Sequence, residues 1–202
     1  MKSKGCMFGV VALVGVVIIG VGVFLWGLGI YNNLVGQDET VRSAWGQVET
    51  QYQRRADLVP NLVEVVKGYA KQEKDVFTEV TEARSRVGQM TVTKEVLEDP
   101  KAFAKFQTAQ DGLSSALSRL LVVAENYPQL KSNENFRDLQ VQLEGTENRI
   151  SVARQRFNET VQTFNTNVRR FPNSVVAGIG GFREKAYFTA KEGAENAPAV
   201  KF

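Results

Sequence analysis

The sequence predicts an all-α protein: one N-terminal transmembrane helix, then an antiparallel four-helix bundle with long helices, then an irregular C-terminal tail. Three observations predict it. From Gly5 to Ile30 no residue is charged in 26 positions. Beyond Ile30, apolar residues recur at spacings of three and four along four long stretches, which is the seam of an antiparallel bundle. Pro occurs only at 60, 100, 128, 172 and 198, where the helices are expected to start or stop.

A short N-terminal tail, residues 1–4, carries Lys2 and Lys4. The run at 5–30 follows. About 20 apolar residues span a bilayer core, so it can cross with some tilt. A cleaved signal peptide is the alternative, with Gly27-Leu28-Gly29 as its small-residue site, but its apolar region would be only about 7–15 residues long. Cys6 stands at the N-terminal start of the run and not after it, unlike a lipoprotein cysteine. Basic residues stay on the cytoplasmic side. Lys2 and Lys4 precede the span, whereas Asp38, Glu39 and a single Arg42 follow it. The expected placement is the cell (inner) membrane, single-pass, with the N-terminus cytoplasmic and the bundle outside. Trp26 and Tyr31 are placed to anchor the outer interface. Gly15, Gly22 and Gly29 share an arc of roughly 40° on an ideal helix, and Gly9, Gly20 and Gly27 one of roughly 20°, about 150° away. Glycine faces let membrane helices approach closely. Two opposed faces point to a homo-oligomer, a ring or an array. The competing reading is that Gly is simply common in spans.

The bundle is expected over 31–171. Helix one, about 31–56, carries Leu34, Val41, Trp45, Val48 and Tyr52. Helix two, about 58–88, carries Leu62, Val66, Tyr69, Val76, Val80, Ala83 and Val87. Helix three, about 101–127, carries Phe103, Phe106, Leu113, Leu117, Leu120 and Ala124. Helix four, about 134–171, carries Phe136, Leu139, Leu143, Ile150, Phe157, Val161, Phe164 and Val168. Asp57 reads as an N-cap and Pro60 as a first-turn residue, so a hairpin is expected there, about 37 Å from the membrane at 1.5 Å per residue. The turn "NYPQLKSN" at 126–133 falls at the same distal end. Arg54, Arg55, Asp57, Tyr127 and Lys131 are then capping or local-pairing residues, or a tip that binds a partner. Residues 172–202 form a tail near the membrane-proximal end. It is either a flap over the bundle or, through Phe182, Tyr187 and Phe188 beside Arg183 and Lys185, a contact with lipid headgroups.

Composition excludes several functions. There is no His, hence no His-based triad, no His-ligated zinc and no Glu-x-x-His di-metal centre. Cys6 is the sole cysteine, so the bundle has neither a disulfide nor a thiolate metal site. Without Lys2 and Lys4 the chain has 23 basic and 22 acidic residues, a net of +1, which is no footprint for nucleic acid. No cofactor or metal is expected.

Several long motifs carry a resemblance. They are "YNNLV" at 31–35, Trp45, "RRADLVPNLVEVVKGYA" at 54–70, "TEAR" at 81–84, "YPQLKSNENFRDLQVQLEGTENRISVAR" at 127–154 and "FPNSVVAG" at 171–178. Over essentially everything beyond residue 30 the chain resembles the LemA family. Phe157 stands where that family commonly has Tyr, so one hydroxyl is missing. The resemblance implies a membrane-anchored, mostly four-helix bundle. A relative implicated in forming magnetosome organelles implies membrane organisation for some members.

Polar residues interrupt the apolar seams. Glu73 falls inside the apolar arc of helix two. Glu147, Arg154, Asn158 and Asn165 share one line on helix four, and Asp38 and Arg55 interrupt helix one. These seven are expected to form an interior polar network that fixes helix register, or else a polar core for a ligand or ion. Glu73 is expected to pair with Arg154, or second with Arg42. Ser114 and Ser115 have no evident base, so an enzyme is disfavoured. The preferred function is a non-enzymatic, membrane-anchored scaffold that self-associates and organises a membrane or its proteins. The runner-up is an adaptor or sensor whose distal tip recruits an envelope partner such as a protease or transport complex.

Overall fold

The computed structural model describes residues 2–190, with side-chain surroundings from residue 11 onward except at Ala12. All regular elements among them are helices. α1 (Lys2–Tyr69) is one continuous helix of 68 residues, about 100 Å long at 1.5 Å per residue. Its first part is long and apolar enough to cross a membrane, and from Leu13 on no neighbour among the described residues covers it. α2 (Lys74–Gly88), α3 (Lys94–Glu98), α4 (Pro100–Glu125), α5 (Pro128–Lys131), α6 (Glu134–Arg169) and α7 (Asn173–Gly180) follow. Beyond Ile30, α1 runs along α6 and α2 along α4, in the up-and-down arrangement that short connections favour.

The hairpin expected at Asp57–Pro60 is not formed. α1 passes straight through Pro60, and Asp57 caps nothing: it accepts from Gln53 Nε2 at 2.8 Å, one turn back. A proline inside a helix orphans the carbonyl four residues before it. Here that carbonyl is Ala56's, and Arg84 Nε of α2 donates to it at 3.0 Å. The turn comes at Ala70–Glu73, about 57 Å from Tyr31 along the helix. It contains neither Gly nor Pro. Tertiary contacts hold it. Tyr127 Oη donates to Glu73 Oε1 at 3.1 Å, and Asn133 Nδ2 donates to Tyr69 Oη at 3.1 Å.

The starts of α4 and α6 follow local rules. Asp99 accepts from Lys101 N at 2.9 Å, with Pro100 in the first turn of α4. Asn133 accepts from Phe136 N at 3.0 Å to open α6. Both are N-caps with a side-chain oxygen on an orphan N–H.

The core has two parts. The distal part is mostly aliphatic: Val59, Leu62, Val66, Val80, Leu113, Leu117, Leu120, Leu130 and Leu143, with Phe77 and Phe136. The basal part is aromatic. Trp45 meets Phe103, Phe106 and Phe157 edge-on at 5.9, 5.5 and 5.4 Å, and stacks on Phe188 at 6.1 Å. Four helices enclose the distal part. α2 ends at Gly88, so in the basal part α3 and the extended tail from Phe182 onward take the fourth position.

Candidate functional site: two polar layers and a clamped tail

Arg55 separates the two cores. Its side chain is fully buried, because its place on α1 lies on the seam between Tyr52 and Val59. Nη1 donates to Ser114 Oγ at 2.6 Å and to Glu147 Oε1 at 3.0 Å. Nη2 donates to the Gln110 carbonyl at 3.2 Å and also reaches Gln110 Oε1. Three helices therefore converge on one guanidinium. Beside it, Arg154 Nε donates to Tyr52 Oη at 2.6 Å and its Nη2 lies 3.3 Å from Asp111 Oδ1. Burial pushes the Tyr52 phenol above its usual 10, against the opposing pull of the Arg154 charge and hydrogen bond.

The second layer lies near the base and holds the tail. Lys185 is buried, with Nζ 2.9 Å from Asp38 Oδ1 and 2.6 Å from Glu98 Oε1. Asp38 Oδ2 also accepts from Arg42 Nε at 3.1 Å. Three side-chain amides then grip the tail backbone, each by donor and acceptor together. Asn165 binds the O and N of Lys185, both at 2.8 Å. Asn158 binds those of Phe188 at 2.9 and 3.0 Å. Gln107 binds those of Thr189 at 2.7 and 3.2 Å. An extended chain between helices has no ladder partner, so these amides satisfy polar groups that burial would otherwise leave unpaired. Ala186 N adds a bond to the Leu97 carbonyl at 2.8 Å.

Asp38, Arg55, Glu147, Arg154, Asn158 and Asn165 thus all belong to these two layers. Glu73 does not. It sits at the distal turn with Tyr127, and neither expected pairing forms: Arg154 faces Asp111, and Arg42 faces Asp38. Moving the hairpin outward by about 13 residues carries Glu73 from mid-bundle to the tip. Burial, together with Glu73, pushes the Tyr127 phenol above its usual value. The same displacement removes Arg54, Arg55 and Asp57 from the tip. Arg54 and Asp57 lie exposed along α1, while Tyr127 and Lys131 are at the tip itself. Trp26 and Tyr31 are exposed where α1 leaves its apolar run, at 57% and 41%. Apart from their own helix backbone and chain neighbours, Gly15, Gly20, Gly22, Gly27 and Gly29 have no atom of the described residues within 4 Å of an added Cβ. Gly9 lies outside the residues whose side-chain surroundings are described.

The model matching the LemA family covers residues 44–202. The chain belongs to the LemA family. "Magnetosome protein MamQ 2" of Paramagnetospirillum magneticum is 27% identical over 177 residues, 80% of this chain and 65% of that protein. "Magnetosome protein MamQ" of Magnetospirillum gryphiswaldense matches with the same identity and coverage. "Protein LemA" of Metamycoplasma hominis is 21% identical over 174 residues, 86% of this chain and 75% of its own length. The match to the magnetosome relatives therefore spans a little less than two thirds of their length.

In this LemA-family chain, no group of three or more His, Cys, Asp or Glu able to hold a metal occurs among the described residues. Ser114 Oγ accepts from a guanidinium, and Ser115 Oγ donates to the Asp111 carbonyl at 2.9 Å. The layers join helices and hold the tail. Sequence reasoning missed Gln107, Gln110, Asp111 and the role of Ser114, and it offered Lys185 and Phe188 as lipid-headgroup contacts, whereas both are buried in the bundle, Lys185 against Asp38 and Glu98. Gln107 and Gln110 interrupt the apolar line from Phe103 to Leu113, which was a visible signal. Lys185 lies in a segment without helical periodicity, and nothing local marks it.

Proposed function

We propose that this membrane-associated helical protein is a non-enzymatic, self-associating scaffold that organises a membrane or the proteins in it. The observation that carries the reading is the continuity of α1. One unbroken helix runs from the apolar span to the distal turn, so an arrangement imposed within the bilayer is transmitted rigidly to the bundle. The two glycine faces with bare backbone supply contact surfaces in the span. The name of the magnetosome relatives supports a membrane-organising role. The expected site is the cell's inner membrane, with the bundle outside the cytoplasm. Protease added to spheroplasts should then digest the bundle, and complete protection until lysis would reverse the orientation.

Particle imaging and native mass measurement of the full chain in lipid test the scaffold reading. A large homomeric particle is expected. Replacing Gly15, Gly22 and Gly29 by Leu, or separately Gly20 and Gly27, should reduce it to a small oligomer. A monomer that co-purifies with one stoichiometric foreign protein would replace the scaffold by an adaptor acting through the distal turn.

A further inference from the structure

The linker between α6 and the tail has an unusual surface. From Phe171 to Phe182 there is no charged residue. Phe171, Val175 and Ile179 follow one another at four-residue spacing and are 79%, 56% and 85% exposed. The opposite side of α7 is packed, with Ala177 buried. Elsewhere on the bundle, exposed apolar side chains are scattered singly, as at Val122, Val141 and Val152.

The height of α7 is set by α1. A Cβ on Gly180 would lie 3.0 Å from a ring carbon of Tyr31 and 2.9 Å from one of Phe182. Tyr31 and Phe182 themselves meet edge-on at 5.5 Å. The end of α7 is thus pressed against the first residue after the apolar run at 5–30, and a side chain at position 180 would force the Tyr31 and Phe182 rings to shift. At 1.5 Å per residue that run is about 39 Å long, some 9 Å more than a hydrocarbon core of about 30 Å. Its last turns, with Trp26, therefore reach the headgroup layer, and α7 stands beside them. The charges around α7 are mostly basic: Arg169, Arg170 and Arg183 against Glu184. Arg169 is 3.7 Å from Glu184, and the exposed Arg170 and Arg183 have no carboxylate partner among the described residues.

We infer that α7 is a second membrane contact: Phe171, Val175 and Ile179 insert into the headgroup–acyl boundary of the bilayer that α1 crosses, and Arg170 and Arg183 meet anionic headgroups. The inference rests on α1 being a membrane span and is independent of self-association. An apolar face flanked by arginines suits an anionic lipid surface. Two attachments, α1 and α7, stop the bundle from rotating about α1 and give it one fixed face toward the membrane.

The test uses the full chain with Cys6→Ser and one new cysteine at a time: Val175→Cys, Ile179→Cys, or Val141→Cys as the distal control. Each is labelled with an environment-sensitive fluorophore and reconstituted in phosphatidylcholine–phosphatidylglycerol vesicles. Labels at 175 and 179 should be quenched by doxyl groups carried on the lipid, and should be several-fold less quenched by aqueous iodide than the label at 141. Iodide quenching equal to that at 141, in a chain that floats with the vesicles, overturns the α7 contact and leaves the anchor intact. Protection from both quenchers means that protein covers the face, which also overturns it. A chain that fails to float overturns the span and the α7 contact together.

Discussion

The distal and basal halves of the bundle solve the same problem differently. The distal half has four helices, and Leu, Val and Ala on facing seams fill it. The basal half has three helices and a gap below Gly88. Larger side chains fill that gap: Trp45, Phe103, Phe106, Phe157 and Phe188. An extended segment closes it, but unlike a helix it cannot satisfy its own backbone. Asn165, Asn158 and Gln107 do so instead. A fourth helix brings its hydrogen bonds with it, whereas a strap must find them in the groove where it lies.

The largest expected effect comes from removing the strap. Truncation after Gly181 takes away the Phe188 ring, the Lys185 ion pairs and the seven hydrogen bonds that hold the backbone of residues 185–189. Losing one buried aromatic ring costs about 3–5 kcal/mol, so this truncation should exceed that range. Hydrogen exchange should accelerate in the basal parts of α1, α4 and α6 more than at the distal end. Equal acceleration in both halves would show that they form one cooperative unit.

The layer between the halves should respond asymmetrically. Glu147→Ala strands a fully buried guanidinium, and breaking a buried pair costs about 3–5 kcal/mol. The low end is expected because the Glu147 side chain is 38% exposed. Arg55→Met should cost less, since Glu147 can turn to water and a methionine fills the space. Equal denaturant midpoints for the two variants would remove Arg55 from its role as the divider. Glu73→Ala at the tip should cost only about 1 kcal/mol, the single hydrogen bond from Tyr127.

Pro60→Ala should stabilise the distal half by up to about 3 kcal/mol, the handicap of Pro relative to Ala inside a helix. The gain shrinks because Arg84 already serves the Ala56 carbonyl. A lower melting temperature would mean that Pro60 contributes packing that outweighs its lost N–H.

The smallest effect concerns alkaline pH. The Tyr52 phenol is raised in the folded state, so its contribution is complete below about pH 10 and is lost as pH rises toward the folded value. Tyr52→Phe removes this titration. The stability difference between wild type and variant should therefore narrow above about pH 10. A constant difference would show that the phenol does not titrate differently on unfolding.

Much of this architecture was legible. Asp99-Pro100 and Asn133 mark helix starts by short-range chemistry, and the uncharged run marks the span. Asp38, Arg55, Glu147, Arg154, Asn158 and Asn165 were visible as polar residues on or beside apolar seams. The hairpin was misplaced because Asp57 and Pro60 are strong local signals. They were overridden by a hydrogen bond from Arg84, a residue 28 positions away. The true turn at Lys71–Gln72 consists of good helix formers and has no local signature. Glu73 was misassigned as a direct consequence.

The sequence by itself determined the helical class, the apolar span, the bounds of α4 and α6 to within two residues and most of the residues that line the core, because periodicity, capping and charge depletion act within a few residues. The tertiary structure alone decided where α1 turns, that Arg55 faces Glu147, and that Lys185 and Phe188 of the tail close the basal half. Each of those depends on groups distant in sequence satisfying one another's hydrogen bonds and charges, which no local pattern encodes.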